Sequence, residues 1–161
     1  MGEEARLAPD QTITSVVSGR QVRLRQPGAA LVLIFTNQTT ADRATALRTA
    51  LRERFPDPSA VVIASVVDVS GVPRLMRKMA EGALANRYRE LAAALGPGRD
   101  PAQYLVMCPD WDGKLPSAFG LSGLESRLGV AVVDASGGIV GTAVGDDLLP
   151  AVEALVAPLL A

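Results

Sequence analysis

Side chains suited to nucleophilic chemistry are scarce in this chain, which has one cysteine, Cys108, and no histidine. A cysteine becomes a nucleophile as the thiolate, which a cationic neighbour or a helix N-terminus favours. Cys108 instead ends an apolar run, and the nearby carboxylate of Asp110 would raise the thiol pKa. We therefore interpret Cys108 as a buried core residue. A reactive cysteine at the end of a strand is the alternative.

Carboxylates are the next candidates for chemistry. Asp110 and Asp112 are spaced like the first two ligands of a calcium loop, but Lys114 stands at the fifth position and no glutamate stands at the twelfth. The pair Asp146–Asp147 precedes an apolar helical pattern and is better explained as a helix cap than as an acid–base pair. We therefore predict no metal site and no cofactor.

The overall composition is that of one packed domain. The 161 residues are 48% hydrophobic and 20% charged, with a net charge of -1 that gives no electrostatic reason to bind nucleic acid. No run of 18 apolar residues predicts a membrane-spanning helix. The first ten residues are acidic and lack the apolar stretch of a secretory signal, so we expect a bacterial cytoplasmic protein. Residues 1–11 are predicted to be a flexible leader and residues 12–161 a single domain.

The apolar patterns predict alternating strands and helices. Strands are expected at 12–17, 21–25, 29–35, 60–67, 104–108, 130–134 and 139–144. The first two flank a turn and form a hairpin, and the next two are apolar throughout, as in strands that are covered on both faces. Helices are expected after a cap at Thr39 or Thr40, after Ser70, near 116–128 and after a cap at Asp146 or Asp147. The longest helix is expected to be capped by Ser70 or a neighbour, and its buried stripe is expected to comprise Leu75, Met76, Met79, Leu84, Tyr88, Leu91 and Leu95.

Two stretches carry a resemblance to a known superfamily. Residues 104–121 combine a strand, an Asp-Gly turn and a short helix, and residues 130–140 form a closing hairpin around Asp134-Ala135-Ser136-Gly137-Gly138. With the strand at 31–35, they resemble the thioredoxin-like superfamily, in particular its peroxiredoxin and thiol-disulfide oxidoreductase branch. The resemblance implies an α/β fold: a three-layer sandwich with a central mixed sheet, an N-terminal β-hairpin and a C-terminal helix.

The departures from that pattern concern the active site. The cysteines of redox relatives lie where the first crossover helix begins, and the matching positions here fall near Thr40 and Arg43. A degenerate active-site turn is therefore expected at Asn37, Gln38, Thr39, Thr40 and Arg43. The superfamily's cis-proline should precede the closing hairpin, where this chain has Leu128 and Gly129. Disulfide exchange by the usual mechanism is not expected.

Two surfaces are candidates for binding a partner. Arg74, Arg77 and Lys78 crowd the start of the long helix, where positive charge opposes the helix dipole. A solvated face explains them simply, and a docking patch for an acidic partner is the alternative. Leu159 and Leu160 exceed what one buried helical stripe requires, which suggests contact with another subunit.

These observations lead to competing functional hypotheses. The first is a redox-inactive thioredoxin-like domain that binds a protein partner as a scaffold or adaptor. The alternative is an enzyme, a single-cysteine peroxidase or thiol oxidoreductase that uses Cys108. A third keeps the fold and makes the chain an assembly subunit or homo-oligomer held by its last helix. We favour a protein without enzymatic activity, and the identity of the partner is left open.

Overall fold

The computed structural model describes residues 6–161. A five-stranded mixed sheet in the order β5-β4-β3-β6-β7 forms its centre, and a separate hairpin precedes it. The strands are β1 (Thr12–Thr14), β2 (Gln21–Arg23), β3 (Ala30–Thr36), β4 (Val61–Asp68), β5 (Val106–Asp110), β6 (Leu128–Val133) and β7 (Ile139–Gly145). The helices are α1 (Ala41–Arg54), α2 (Arg77–Ala94), α3 (Pro101–Tyr104), α4 (Leu115–Ala118) and α5 (Leu149–Val156), with 3₁₀ turns at Arg74–Met76 and Ala157–Leu160.

The central strand is β3, and every one of its residues is buried. It pairs in parallel with β4, from Ala30 opposite Val61 to Thr36 opposite Val67, and antiparallel with β6. Because β3, β4 and β5 are parallel and joined by crossover helices, their carboxyl ends lie along one edge of the sheet. That edge carries the turn that leads into α1.

The two faces of the sheet have separate hydrophobic clusters. On one face the β1–β2 hairpin and the α4 region cover Phe35, Val66 and Cys108, and the rings of Phe35 and Phe119 lie 5.7 Å apart. The other face is covered by α1 and α5 through the residues Ala44, Leu47, Leu51, Val152 and Val156. Both layers follow from the continuous apolar runs of β3 and β4, which place alternate side chains on opposite faces.

The long helix α2 differs from its predicted form. Its C-terminal half packs Tyr88 against Leu105 and Met107 beside β5, but Tyr88 is the only buried residue of the helix. The predicted buried stripe is wrong at Leu75, Met76 and Met79, which are 99%, 45% and 68% exposed. The reason is that α2 contacts the sheet only in its C-terminal half. The predicted cap at Ser70 or a neighbour is also wrong: Ser70 donates its hydroxyl to Asp68, and α2 begins at Arg77 after Met76, with no side-chain cap.

Smaller differences follow from local chemistry. Tyr104 belongs to the short helix α3, capped by Asp100, so β5 begins at Val106. The predicted helix at 116–128 is only Leu115–Ala118. Neither aspartate of the pair Asp146–Asp147 caps α5, because the cap position is Leu148 and Asp146 pairs with Arg43.

The predicted leader has a described and an undescribed part. Residues 1–5 lie outside the described residues. Ala8 is fully buried and donates its amide to the carbonyl of Gly137 at 2.8 Å. Leu7 forms a bridge with Gly138, so this part of the predicted leader is attached to the β6–β7 turn and differs from a flexible segment.

Candidate functional site

The turn between β3 and α1 is closed by two side chains that bond to each other's backbone. Thr40 donates its amide to Oδ1 of Asn37 at 3.0 Å, and Asn37 donates its amide to Oγ1 of Thr40 at 3.1 Å. The Thr40 hydroxyl also lies 2.7 Å from the hydroxyl of Thr36, and both threonines are buried. Thr40 occupies the cap position of α1, as predicted, but its hydroxyl serves the turn and bonds to no amide of the helix.

The same turn is tied to the segment that enters β6. Asn37 donates Nδ2 to the carbonyl oxygens of Leu124 and Glu125, both at 3.1 Å. Arg43 donates to the carbonyl of Ser126 at 2.9 Å and forms an ion pair with Asp146. The structure thus joins the predicted turn residues to residues 124–126, eighty or more positions further along the chain. Sequence reasoning missed that connection.

These bonds limit what the turn can offer a ligand. The side chains of Asn37 and Thr40 are engaged within the protein, and Arg43 is shared between a carboxylate and a carbonyl. Only Gln38 and Thr39 have exposed side chains without a hydrogen bond inside the described residues. The turn therefore serves mainly to connect β3, α1 and the segment before β6, and only Gln38 and Thr39 at its tip offer polar groups to a ligand.

Cys108 lies far from a reactive environment. It is 2% exposed, in the core cluster on the hairpin side of the sheet. Burial raises the pKa of its thiol from 9.0 to about 12, so the thiolate is rare at neutral pH. The core position expected for Cys108 is what the structure shows. A peroxide or disulfide would reach the sulfur only if the core opened.

A small cavity of about 280 Å³ lies beside the turn, at the carboxyl ends of β3, β4 and β5. Asp68 and Asp110 line it and stand opposite each other in the strand register. Each carboxylate accepts a local bond: Asp68 from Ser70, and Asp110 from the amide of Leu115 at 3.0 Å. Within residues 6–161, no three carboxylate, thiol or imidazole side chains form a group that could hold a metal ion. The pair is explained by turn formation.

The two predicted partner surfaces have different character. Arg74 and Lys78 are exposed, whereas the guanidinium of Arg77 is half-buried and stacks 5.0 Å above the ring of Trp111. At the C-terminus Leu159 packs against the core and Leu160 is 44% exposed. The start of α2 lies close to the β3–α1 turn, since Met76 and Met79 line the same groove as Asn37 and Gln38.

A further feature, which sequence reasoning missed, is a groove of about 570 Å³ between α1 and α2. Its floor is formed by Ser65 and Val67 of β4 and Met107 of β5, and it contains the buried side chain of Arg48. The available signal was the position of Arg48 within the apolar face of α1, where a charge breaks the pattern. None of the helices in the described part of the chain is long and apolar enough to cross a membrane.

Solved structures align with nearly the whole chain. A putative thiol:disulfide interchange protein DsbE from Chlorobium tepidum covers 99% of this chain and 99% of its own, with a TM-score of 0.63 at 16% identity. The pneumococcal exposed lipoprotein thioredoxin Etrx1 from Streptococcus pneumoniae covers 92% and 98%, with a TM-score of 0.61 at 20% identity. StoA from Bacillus subtilis covers 92% and 98%, with a TM-score of 0.58 at 12% identity. The fold is thioredoxin-like.

This confirms the α/β fold class expected from the sequence. No protein-family model and no curated protein matches the chain. At these identities the likeness establishes the thioredoxin-like fold and leaves activity open. All peptide bonds between described residues are trans, including those at Leu128 and Gly129, where the resemblance placed a cis-proline in redox relatives.

Proposed function

We propose that this thioredoxin-like domain is redox-inactive and works by binding a protein partner. The observation that supports this most directly is the β3–α1 turn, which carries no thiol and whose Asn37 and Thr40 side chains are engaged in holding the turn closed. The remaining thiol, on Cys108, is buried and protonated at neutral pH. The finer likeness to peroxiredoxins and the cytoplasmic location stay predictions from the sequence.

Redox inactivity is tested by turnover assays on the purified protein. Insulin disulfide reduction and hydrogen peroxide consumption are measured for the wild type and for Cys108→Ala. We expect both proteins to give the background rate, because no thiolate is accessible. Turnover that is lost in Cys108→Ala would establish the enzymatic alternative and overturn the proposal. Alkylation by iodoacetamide, followed by mass spectrometry, should proceed in urea and be negligible without it.

The partner-binding part rests on the start of α2. Leu75 and Met79 are exposed there, beside the cationic side chains of Arg74 and Lys78. Exposed apolar side chains beside charged ones are typical of a docking surface, and the neighbouring cations favour an acidic partner. This surface supports a scaffold or adaptor role more directly than the C-terminal turn, where only Leu160 stands out.

Binding is tested with point variants that keep the core intact. A partner retained by the wild-type protein should be lost from Leu75→Ser/Met79→Ser and retained by Val140→Ser, a control that is 38% exposed on the edge strand β7. Equal retention by all three proteins would rule out the α2 surface. Self-assembly through the C-terminus predicts that Leu160→Ser lowers the mass measured by light scattering, and an unchanged mass argues against it.

A further inference from the structure

The groove between α1 and α2 has the size and lining of a small-molecule site. Its volume of about 570 Å³ lies within the range of ligand pockets, roughly 300–1,000 Å³. The apolar part of the wall beside α1 is formed by Met76, just before α2, and by Met79, Ala80, Ala83 and Leu84 of α2, which present only hydrocarbon and thioether surface. The groove lies on the opposite face of the sheet from Cys108, so a ligand there would not require Cys108 to be either reactive or inert.

Arg48 is the unusual member of this lining. Its side chain is 9% exposed and, within residues 6–161, it forms no ion pair, but its guanidinium nitrogens keep contact with the solvent in the groove, unlike Nη2 of Arg52 and Nε of Arg77, which are buried without a partner. Burial, followed by the positive charges of Arg87 and Arg52, lowers the pKa of its guanidinium. A largely buried cation that has no counterion and faces a groove favours an anion beside it, so Arg48 can receive an anion that the protein itself does not supply.

Arg87 places a second cation in the same groove. Its guanidinium lies 3.4 Å from the hydroxyl of Thr45 and 3.7 Å from the carboxylates of Asp42 and Glu90. Both carboxylates are largely exposed, so these pairs are weak and Arg87 is free to turn toward a ligand. Among the described lining residues the one carboxylate is Asp68, which is held by Ser70.

We propose that the groove binds a free medium-chain aliphatic carboxylate, with its carboxylate between Arg48 and Arg87 and its hydrocarbon chain along Met76, Met79 and Ala80. A guanidinium pairs two of its N–H groups with both oxygens of a carboxylate, which suits this head group. An inserted peptide fits less well, because its backbone groups need hydrogen-bond partners along their length and the wall of Met76, Met79, Ala80, Ala83 and Leu84 offers only apolar side chains.

The test is isothermal titration calorimetry of the full chain with decanoate, decanol and octanoate, each kept below its aggregation threshold. We expect saturable one-to-one binding of decanoate, with decanol at least tenfold weaker because it lacks the anion. Octanoate should bind more weakly than decanoate by about fourfold for each methylene removed, which is the transfer free energy of one buried CH₂ expressed as a ratio of Kd values. Equal affinity for decanoate and decanol, or no saturable binding, would overturn the proposal.

Variants separate the head-group and chain contacts. Arg48→Met should weaken decanoate at least tenfold and leave decanol unchanged, whereas Arg54→Met, on the same helix outside the groove lining, should change neither. Ala80→Phe should abolish binding of both ligands, because the phenylalanine side chain fills the groove. This second variant tests the proposal if Arg48→Met does not fold. An unchanged decanoate affinity in either groove variant contradicts the assignment. A different outcome would also contradict the assignment. If the wild-type protein does not bind decanoate but dimerises with rising concentration, and Ala80→Phe abolishes the dimer, a second copy of the chain occupies the groove.

Discussion

Helices α1 and α2 are attached to the same sheet in different ways. α1 buries Ala44, Leu47 and Leu51 against β3 and β4, and its N-terminus is fixed by the Asn37–Thr40 turn. α2 is longer, at 18 residues, but buries only Tyr88. The tightly held helix and the loosely held helix together define the groove, because the first half of α2 stands away from the sheet that α1 covers.

The contrast extends to polar groups. At the turn, the polar atoms of Asn37 and Thr40 find partners inside the protein, and the result is a rigid connection to residues 124–126. In the groove, the Arg48 guanidinium has no carboxylate partner among the described residues and keeps contact with solvent. Satisfied polar groups stabilise a fold, whereas a largely buried cation without a counterion favours an anion from outside. We therefore assign a structural role to the turn and a binding role to the groove.

The largest expected effect concerns hydrophobic burial in the two helices. Leu51→Ala removes a fully buried side chain from α1 and should lower the free energy of unfolding by about 3–4 kcal/mol. Leu75→Ala, at a leucine that is 99% exposed just before α2, should change it by less than about 0.5 kcal/mol. Urea denaturation monitored by circular dichroism measures both. Similar losses in the two variants would contradict the view that the start of α2 is uncovered.

The next effect concerns the turn. Thr40→Val keeps the shape of the side chain but leaves the amide of Asn37 without its acceptor, and the buried hydroxyl of Thr36 keeps only its bond to the carbonyl of Asn37. We expect a loss of about 2 kcal/mol in the free energy of unfolding, since an unpaired buried polar group costs more than a hydrogen bond contributes. Thr39→Val, at the exposed neighbour, is the matched control and should be neutral within about 0.5 kcal/mol. A neutral Thr40→Val would show that the turn is not held by this network.

The sequence predicted the sheet better than the surfaces around it. The strands β3, β4 and β6 were found because runs that are apolar on both faces have few other structural explanations. The α2 stripe was misjudged because periodicity shows which residues share a face and not whether a neighbour covers it. The bonds from Asn37 to Leu124 and Glu125 join positions 87 and 88 residues apart, and no local pattern encodes such a pairing.

In the groove, unlike at the turn, removing a polar side chain is expected to raise the free energy of unfolding. Arg48→Met removes a largely buried charge that has no carboxylate partner and keeps most of the hydrocarbon stem, so the ligand-free protein should become more stable by about 1 kcal/mol. Arg54→Met loses an ion pair with Glu153 in which the arginine is mostly exposed, and should be neutral or slightly destabilising. Thermal unfolding without added ligand distinguishes the two. A clear loss of stability in Arg48→Met would mean that the guanidinium has a structural role, which would remove the motive for a ligand.

The smallest effect concerns the ion pair between Arg43 and Asp146, which tests how much of the turn's rigidity comes from charge. The two side chains are 39% and 65% exposed, so solvent screens their attraction, and Asp146→Asn should cost no more than about 0.5 kcal/mol. Arg43→Met also removes the hydrogen bond to the Ser126 carbonyl and should cost somewhat more, about 1 kcal/mol. Urea denaturation in low and in high salt measures both, and only the ion-pair contribution should fall with salt. If Asp146→Asn destabilises the protein as much as Thr40→Val, the turn is held by surface charge, and the structural role assigned to Asn37 and Thr40 is wrong.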